Sequence, residues 1–238
     1  MHLLHGIGQG LPNMGDIDRQ AIAGALGTAT HGSGRTLGAY HTQLEAMEFI
    51  DGRGEVRRFD MAGNAEMIRA TGVTLGAFGI LTEVTLNNIA TYRLRRRKWG
   101  LPLGDMLASF EAMMAAHRSA EFYYVPYSDY VQFIASDFSD APASSRPAED
   151  DEEALAMMRR ARDLFKRAPW LRRKLIRWAA ARVPAEDYVQ DWLNVYASER
   201  NTRFNEMEYH LPFEAGPQAL REIVALTETH FSEVYFPM

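Results

Sequence analysis

The sequence predicts an α+β protein, on three observations. LEAMEFIDGRGEVRRF, residues 44–59, alternates on both sides of Asp51-Gly52-Arg53-Gly54, and an Asp-Gly turn between alternating apolar residues is a strong hairpin signal. The Met-rich helical stretch GDMLASFEAMMAAHRSA stands among the strand-like segments TYRLRRRKW, EFYYVPY and DYVQFIAS. Two basic helical stretches then flank Pro169.

In chain order, MHLLHGIGQGLPNMGD enters a Gly- and Pro-rich loop before any strand or helix has formed. A short helix follows and ends in GALGTATHGSG, Gly24 to Gly34. After the hairpin, a helix from about Ala62 to Ala70 leads into GAFGILTEVTL. The β-branched and aromatic content of that segment, bounded by Gly76 and Asn87, predicts a buried strand. From Tyr92 to about Ser139 the strands and the Met-rich helix form an α+β unit, and SDAPASSRPAEDDEE reads as an exposed loop or insertion. Helices are expected over about Glu152 to Arg167 and Trp170 to Arg182, broken or kinked at Pro169, which has no amide proton and clashes with the preceding turn. RFNEMEYHLP alternates like a strand, GPQALREIVALTETHF is helical with Pro217 in its first turn, and SEVYFPM begins a strand. A division near residue 90 separates a first domain, 1–90, from a second, 91–238, with a helical insertion at 140–200.

Composition narrows the function classes. The 238 residues are 47% apolar and 11% aromatic, enough for a real core. A net charge of −5 argues against nucleic acid as the main partner. The absence of cysteine excludes disulfides, a thiolate zinc site and a cysteine nucleophile. No run approaches the roughly 20 apolar residues of a membrane span, and the N-terminus lacks the pattern of a secretion signal, so a cytoplasmic location is expected.

The chemistry concentrates in the opening loop, where eleven residues from Gly24 to Gly34 hold four glycines, three hydroxyls and His31. Backbone amides at a helix start and at glycine turns donate to phosphate, and small residues let a flat ring or a pyrophosphate lie against the main chain. The pattern is neither the dinucleotide GxGxxG nor GxxxxGK[ST].

LPNMGDIDRQAIAGALGTATHGSG, the strand pair LEAMEFIDGRGEVRRF and TGVTLGAFGILTEVTL together resemble the second half of the FAD domain of the sugar-1,4-lactone oxidases. These flavoproteins of the vanillyl-alcohol-oxidase type include the D-arabinono-1,4-lactone and L-gulonolactone oxidases, with alditol oxidases as relatives. RFNEMEYHLPFEAGPQALREI resembles part of their substrate domain. The resemblance implies an FAD site. Gly15, Asp16, Asp18 and Gln20 would lie along the flavin and its chain. Ala23, Gly24 and Thr28 would line pyrophosphate and ribitol, and Thr30, His31 and Gly32 would complete the wall. Gly79 and Ile80 would touch the cofactor from the neighbouring strand. The implied substrate is a sugar lactone or polyol, and the small Gly15 beside the reactive face implies dioxygen as acceptor.

Plainer readings accompany these roles. His31 is a hydrogen-bonded loop histidine, Asp16 and Asp18 cap the helix that follows, and the Met113, Met114, Met157 and Met158 pairs fill core gaps. Glu206 and Glu208 share a strand face, which admits a paired-carboxylate site, although a solvated face is the plainer reading. No catalytic residue and no metal ligand is assigned. The family's preceding FAD subdomain, with its flavin-linked histidine in many members, has no counterpart here, since His2 and His5 lie too close to GLPNMGD; the family's carboxylate and arginine pair would follow SEVYFPM. The expectation is therefore a fragment with weak or no flavin binding. A competing reading rests on residues 158–182, with ten Lys or Arg against one acid and Leu164, Phe165, Leu171, Leu175, Trp178 and Ala179 near helical spacing. That pattern suits an anionic membrane surface or a partner groove. The sequence favours a solvated helix face instead, answered by the acidic run Glu149 to Glu153.

Overall fold

A computed structural model of the chain describes residues 1–147, 151–198, 207–231, 233–235, 237 and 238, with the Asp151 side chain excepted. The residues fall into two units. The first holds Met1–Leu94, Phe138–Ala143 and Gln190–Glu199, and the second Arg95–Asp137, Ser144–Val189 and Arg200–Met238.

The first unit is built on the hairpin. Strand β2 (Leu44–Ile50) pairs antiparallel with β3 (Val56–Asp60), from Ile50 opposite Val56 to Ala46 opposite Asp60. Asp51 ties the turn: its carboxylate accepts from the Arg53 and Glu55 amides and from Arg57 Nε at 2.8 Å. Arg57 and those amides hold the carboxyl below its usual range. Asp60 ends β3 and caps helix α3 (Met61–Thr71), accepting from Gly63 N. On the other side of β2, β4 (Ile80–Leu86) completes the order β3-β2-β4.

Three expectations fail in this unit. The chain opens on a helix, α1 (His2–Gly6), and a two-residue strand β1 (Gln9–Gly10) paired with β5 (Ile89–Ala90), where an irregular loop was expected. Strand β4 is not buried. It has a strand neighbour on one side only among the described residues, Gly76 to Gly79 precede it as a loop, and Ile80 is 73% exposed. Helix α2 (Ile22–Gly27) is capped by Ala21 with no side-chain bond, so neither Asp16 nor Asp18 caps it.

In the second unit, β6 (Arg93–Pro102), β7 (Ser119–Val125), β8 (Tyr130–Phe138) and β9 (Glu186–Asp191) form a sheet in the order β7-β8-β6-β9. Tyr124, Val131, Phe133 and Met106 are fully buried in its core, with Met113 and Met114 packed at the edge. The Met-rich stretch is two helices, α4 (Leu103–Ala108) and α5 (Phe110–Ala115). They part at Ser109, whose hydroxyl donates to the Asp105 carbonyl at 2.7 Å, a local bond that competes with helix continuation. Helix α6 (Asp151–Leu164) ends before Pro169, which opens α7 (Pro169–Ala180) at the position where a missing amide proton does no harm.

Strand β9 and helix α8 (Trp192–Tyr196) were not expected. Of RFNEMEYHLP, residues 203–206, Glu206 included, lie outside the described residues, and Met207 to Pro212 form no strand. Helix α9 (Gly216–His230) stands where the sequence placed it. Of SEVYFPM, Ser232 and Phe236 lie outside the described residues, while Met238 exchanges both backbone hydrogen bonds with Tyr124. Met158 is buried as expected, but Met157 is 53% exposed and fills no core gap.

Candidate functional site

The loop after α2 owes its shape to a helix end. The Thr30 amide bonds to Ala25 O and the Ala29 amide to Leu26 O, with Ala29 in the left-handed region at φ 55°. This is the bond pair of a Schellman motif, with alanine where glycine is usual. The turn brings three polar side chains together. Thr28 Oγ1 donates to Gly24 O at 2.9 Å and lies 3.3 Å from Thr30 Oγ1, and Gln20 Nε2 donates to Thr30 Oγ1 at 3.1 Å.

Behind this face, residues 13–15 run against residues 30–32. A Cβ on Gly32 would stand 2.0 Å from Met14 O and 2.6 Å from Asn13 Oδ1, so the approach admits only glycine. Asn13 is clamped further by Nδ2 donating to Gly38 O and by its carbonyl accepting from Gln43 Nε2. Gly15 is buried; a Cβ there would lie 3.2 Å from Thr30 Cγ2 and 3.3 Å from His31 O. Close packing thus favours a small residue here. Tyr40 lies in the same cluster, its hydroxyl raised by burial and partly offset by a bond from the Gly15 backbone.

The Gly76–Gly79 loop docks on the end of α2 through the Leu75 amide, which donates to Gly27 O at 3.1 Å. Gly79, at φ 147°, packs so closely on β2 that a Cβ would meet Ile50 O at 2.1 Å. Between α2, β2, the end of α3 and this loop lies a cavity of about 120 Å³, lined by Ala23, Gly27, Met47, Thr71, Gly76 and Phe78, among others. That is below the roughly 300–1,000 Å³ of an enclosed ligand pocket. The feature is an open wall with a shallow apolar recess.

The expected residues thus fall into groups. Gly15, Thr30, His31 and Gly32 pack together; Gln20, Thr28 and Thr30 form a hydroxyl-amide chain beside Gly24; Ala23 and Gly79 line the recess. His31 Nδ1 lies 3.0 Å from Gly32 O. Asp18, an exposed residue, meets Arg19 at 3.8 Å, and the Asp16 carbonyl accepts from Ser198 N. Ile80 points no apolar surface into the recess lining, whereas Phe78, a residue the sequence passed over, does. Its position between two positive-φ glycines, Gly76 and Gly79, was the signal available.

The second unit carries a charged cluster that the sequence did not single out. Glu228, on α9, accepts from the Tyr124 hydroxyl, from the Tyr127 amide at 2.8 Å and from Arg173, which also reaches Asp129 at 3.4 Å. Burial, then Glu228, pushes the Tyr124 hydroxyl far above the usual tyrosine range, so it stays protonated as a donor.

Comparisons with known proteins bear on both units. An L-gulono-1,4-lactone dehydrogenase of Mycobacterium tuberculosis is 29% identical over 238 aligned positions, which cover 96% of this chain and 54% of that protein. Bovine L-gulonolactone oxidase is 27% identical over 138 positions, 58% of this chain and 31% of the relative. A D-arabinono-1,4-lactone oxidase of Kluyveromyces lactis is 27% identical over 120 positions, 50% of this chain and 23% of the relative. The chain spans about half the length of the mycobacterial protein, and less of the others. Among solved structures, cholesterol oxidase from B. sterolicum superposes with a TM-score of 0.59 at 18% identity, over 80% of this chain and 42% of the other. The α+β fold is accordingly of the vanillyl-alcohol-oxidase type. The family model for D-arabinono-1,4-lactone oxidase matches residues 84–238, and on that match the chain belongs to the D-arabinono-1,4-lactone oxidase family.

Proposed function

We propose that this chain supplies one wall of an FAD site in an oxidoreductase acting on a hydroxyl of a sugar 1,4-lactone or a polyol. The observation that carries the reading is the space at Gly24: a Cβ there would meet nothing within 4 Å, directly beside the Gln20, Thr28 and Thr30 chain. An exposed main-chain surface flanked by hydroxyls fits a group with a flat ring and a polar phosphate chain. Gly32 and Gly79 do the opposite job, closing the backbone behind the wall.

In this reading Ala23, Gly24 and Thr28 hold pyrophosphate and ribitol, and Thr30 and His31 complete the wall that Gly32 closes from behind. Gly15, Asp16, Asp18 and Gln20 run along the flavin, with Gly79 and Ile80 at its edge. Bound FAD would supply the acceptor for the hydride of the alcohol carbon. The residues of this chain orient the ring and keep one side of it dry. Dioxygen is the proposed final acceptor, by analogy with relatives named oxidases, while the mycobacterial relative, named a dehydrogenase, favours another acceptor.

The test is titration of the purified chain with FAD, followed by flavin fluorescence. Weak, saturable binding is the expected result for one wall of a site. No change in flavin fluorescence overturns the reading. With flavin bound, lactone-dependent oxygen uptake against dye reduction separates the two acceptors.

A further inference from the structure

Helix α7 presents its large apolar residues to solvent. At 100° per residue, Arg177, Trp170, Lys174, Trp178, Leu171 and Leu175 fall in order within an arc of about 160°. Every one of them is exposed, Trp170 at 64% and Trp178 at 57%. The opposite face, Arg172, Ile176 and Ala180, is the buried one. A surface helix ordinarily turns its apolar stripe inward. Here Arg172 stacks 3.8 Å from the Tyr127 ring centre and Arg173 pairs with Glu228, so polar contacts fasten the inner side and leave tryptophan and leucine outside, with Arg177 reaching Asp129 from the edge of the outer arc. Helix α6, which packs on α7, repeats the arrangement with exposed Met157, Arg160 and Leu164, the last 78% exposed.

Charge selects the occupant. A chain of net charge −5 gathers ten of its cations between residues 158 and 182 against one acid, and α7 itself has no acid; Arg172 is buried, Arg162, Arg173 and Arg177 are paired with acids, and Glu153 is an exposed acid on the α6 stripe, so Lys174 and Arg182 beside the tryptophans carry the charge argument. Lys174 Nζ sits 5.4 Å from the Trp170 ring and the Arg182 guanidinium 4.5 Å from that of Trp178. Tryptophan beside lysine or arginine is the composition of the headgroup boundary, where the ring inserts and the cation meets lipid phosphate. An acidic protein partner would account for the cations but not for two tryptophans and three leucines on the same faces. We infer that α7, with the outer stripe of α6, docks the chain on an anionic membrane surface. This goes beyond the flavin reading and stands without it.

Vesicle flotation tests it, using the full chain without flavin or substrate, on phosphatidylcholine alone and on phosphatidylcholine with phosphatidylserine. The chain is expected to float with the anionic vesicles only, with a blue shift of tryptophan emission, and to be released by high salt. Lys174→Ala and Arg182→Ala should each weaken partitioning about fivefold, the effect of about 1 kcal/mol per surface cation. Trp170→Ser with Trp178→Ser should abolish flotation, while an unchanged circular dichroism spectrum shows the fold intact. No flotation with anionic vesicles, equal flotation with neutral ones, or full flotation of the folded double variant overturns the inference. The first of these outcomes would leave the face to a protein partner.

Discussion

Replacing Gly24 with alanine separates folding from binding, because the two should move in opposite directions. Gly24 is the third residue of α2 and a methyl there meets nothing within 4 Å, so the fold has no steric objection. Alanine is the better helix former by about 0.8–1 kcal/mol in a long helix, and in six residues about half of that is the fair expectation. For a chain of this size roughly 2–4 °C of melting temperature accompany each kcal/mol, so the gain is about 1–2 °C. If FAD lies on this backbone, the same methyl intrudes on it. An unaccommodated methyl costs about 1–3 kcal/mol in a packed contact, or about fivefold to a hundredfold in affinity. Thermal unfolding without flavin and flavin titration by fluorescence measure the two. A variant that melts higher and binds FAD as tightly as the parent would refute the placement of Gly24 in the wall; one that melts lower would refute the account of α2.

Gly32→Ala should act on folding first. Its Cβ would meet two main-chain atoms of Met14 at 2.0 and 3.0 Å, backbone that cannot swing aside, so a loss of about 3 kcal/mol or more in urea unfolding is expected; a loss below about 1 kcal/mol would refute the close approach. Glu228→Ala strips the partners from a fully buried Tyr124 and from Arg173, and should cost about 3 kcal/mol, whereas Glu228→Gln, which keeps an acceptor, should cost markedly less. Equal effects of the two would show that the acceptor kept by Gln contributes nothing there, since both variants remove the charge. His41 gives a pH dependence: burial lowers its pKa from the usual 6.5, and its Nδ1 is buried without a hydrogen-bond partner. The unfolded chain then takes up a proton before the folded one does. Stability is full above about pH 6.5 and falls as the pH drops through the folded value. His41→Gln should flatten urea midpoints between neutral and mildly acidic pH, and an unchanged slope would contradict the assignment.

Much of the fold was legible because its signals are local. Asp51 and Gly54 shape the hairpin turn within five residues, Asp60 caps α3 three residues on, and Pro169 can only begin a helix. The misses arose where distant contacts decide. EDYVQDWLNVY carries charge at both ends of a short apolar run, and becomes β9 and α8 by pairing with partners remote in sequence, as when Trp192 stacks on Tyr92 at 6.1 Å. GAFGILTEVTL has the composition of a buried strand, yet its neighbour lies on one side only among the described residues.

The candidate site divides along the same line. Sequence alone determined that glycines and hydroxyls concentrate between Gly24 and Gly34 beside a helix, and that residues 158–182 are basic and amphipathic; the structure corrects the loop to residues 28–34, since Gly24 to Gly27 belong to α2. Tertiary structure alone decided which glycines are open and which are closed: Gly24 faces empty space, while Gly32 lies under Met14 and Gly79 under Ile50. It also decided which side of α7 is outside. Both depend on what lies across a gap from a residue, and a periodic pattern states only which residues share a face, never which face the rest of the chain will cover.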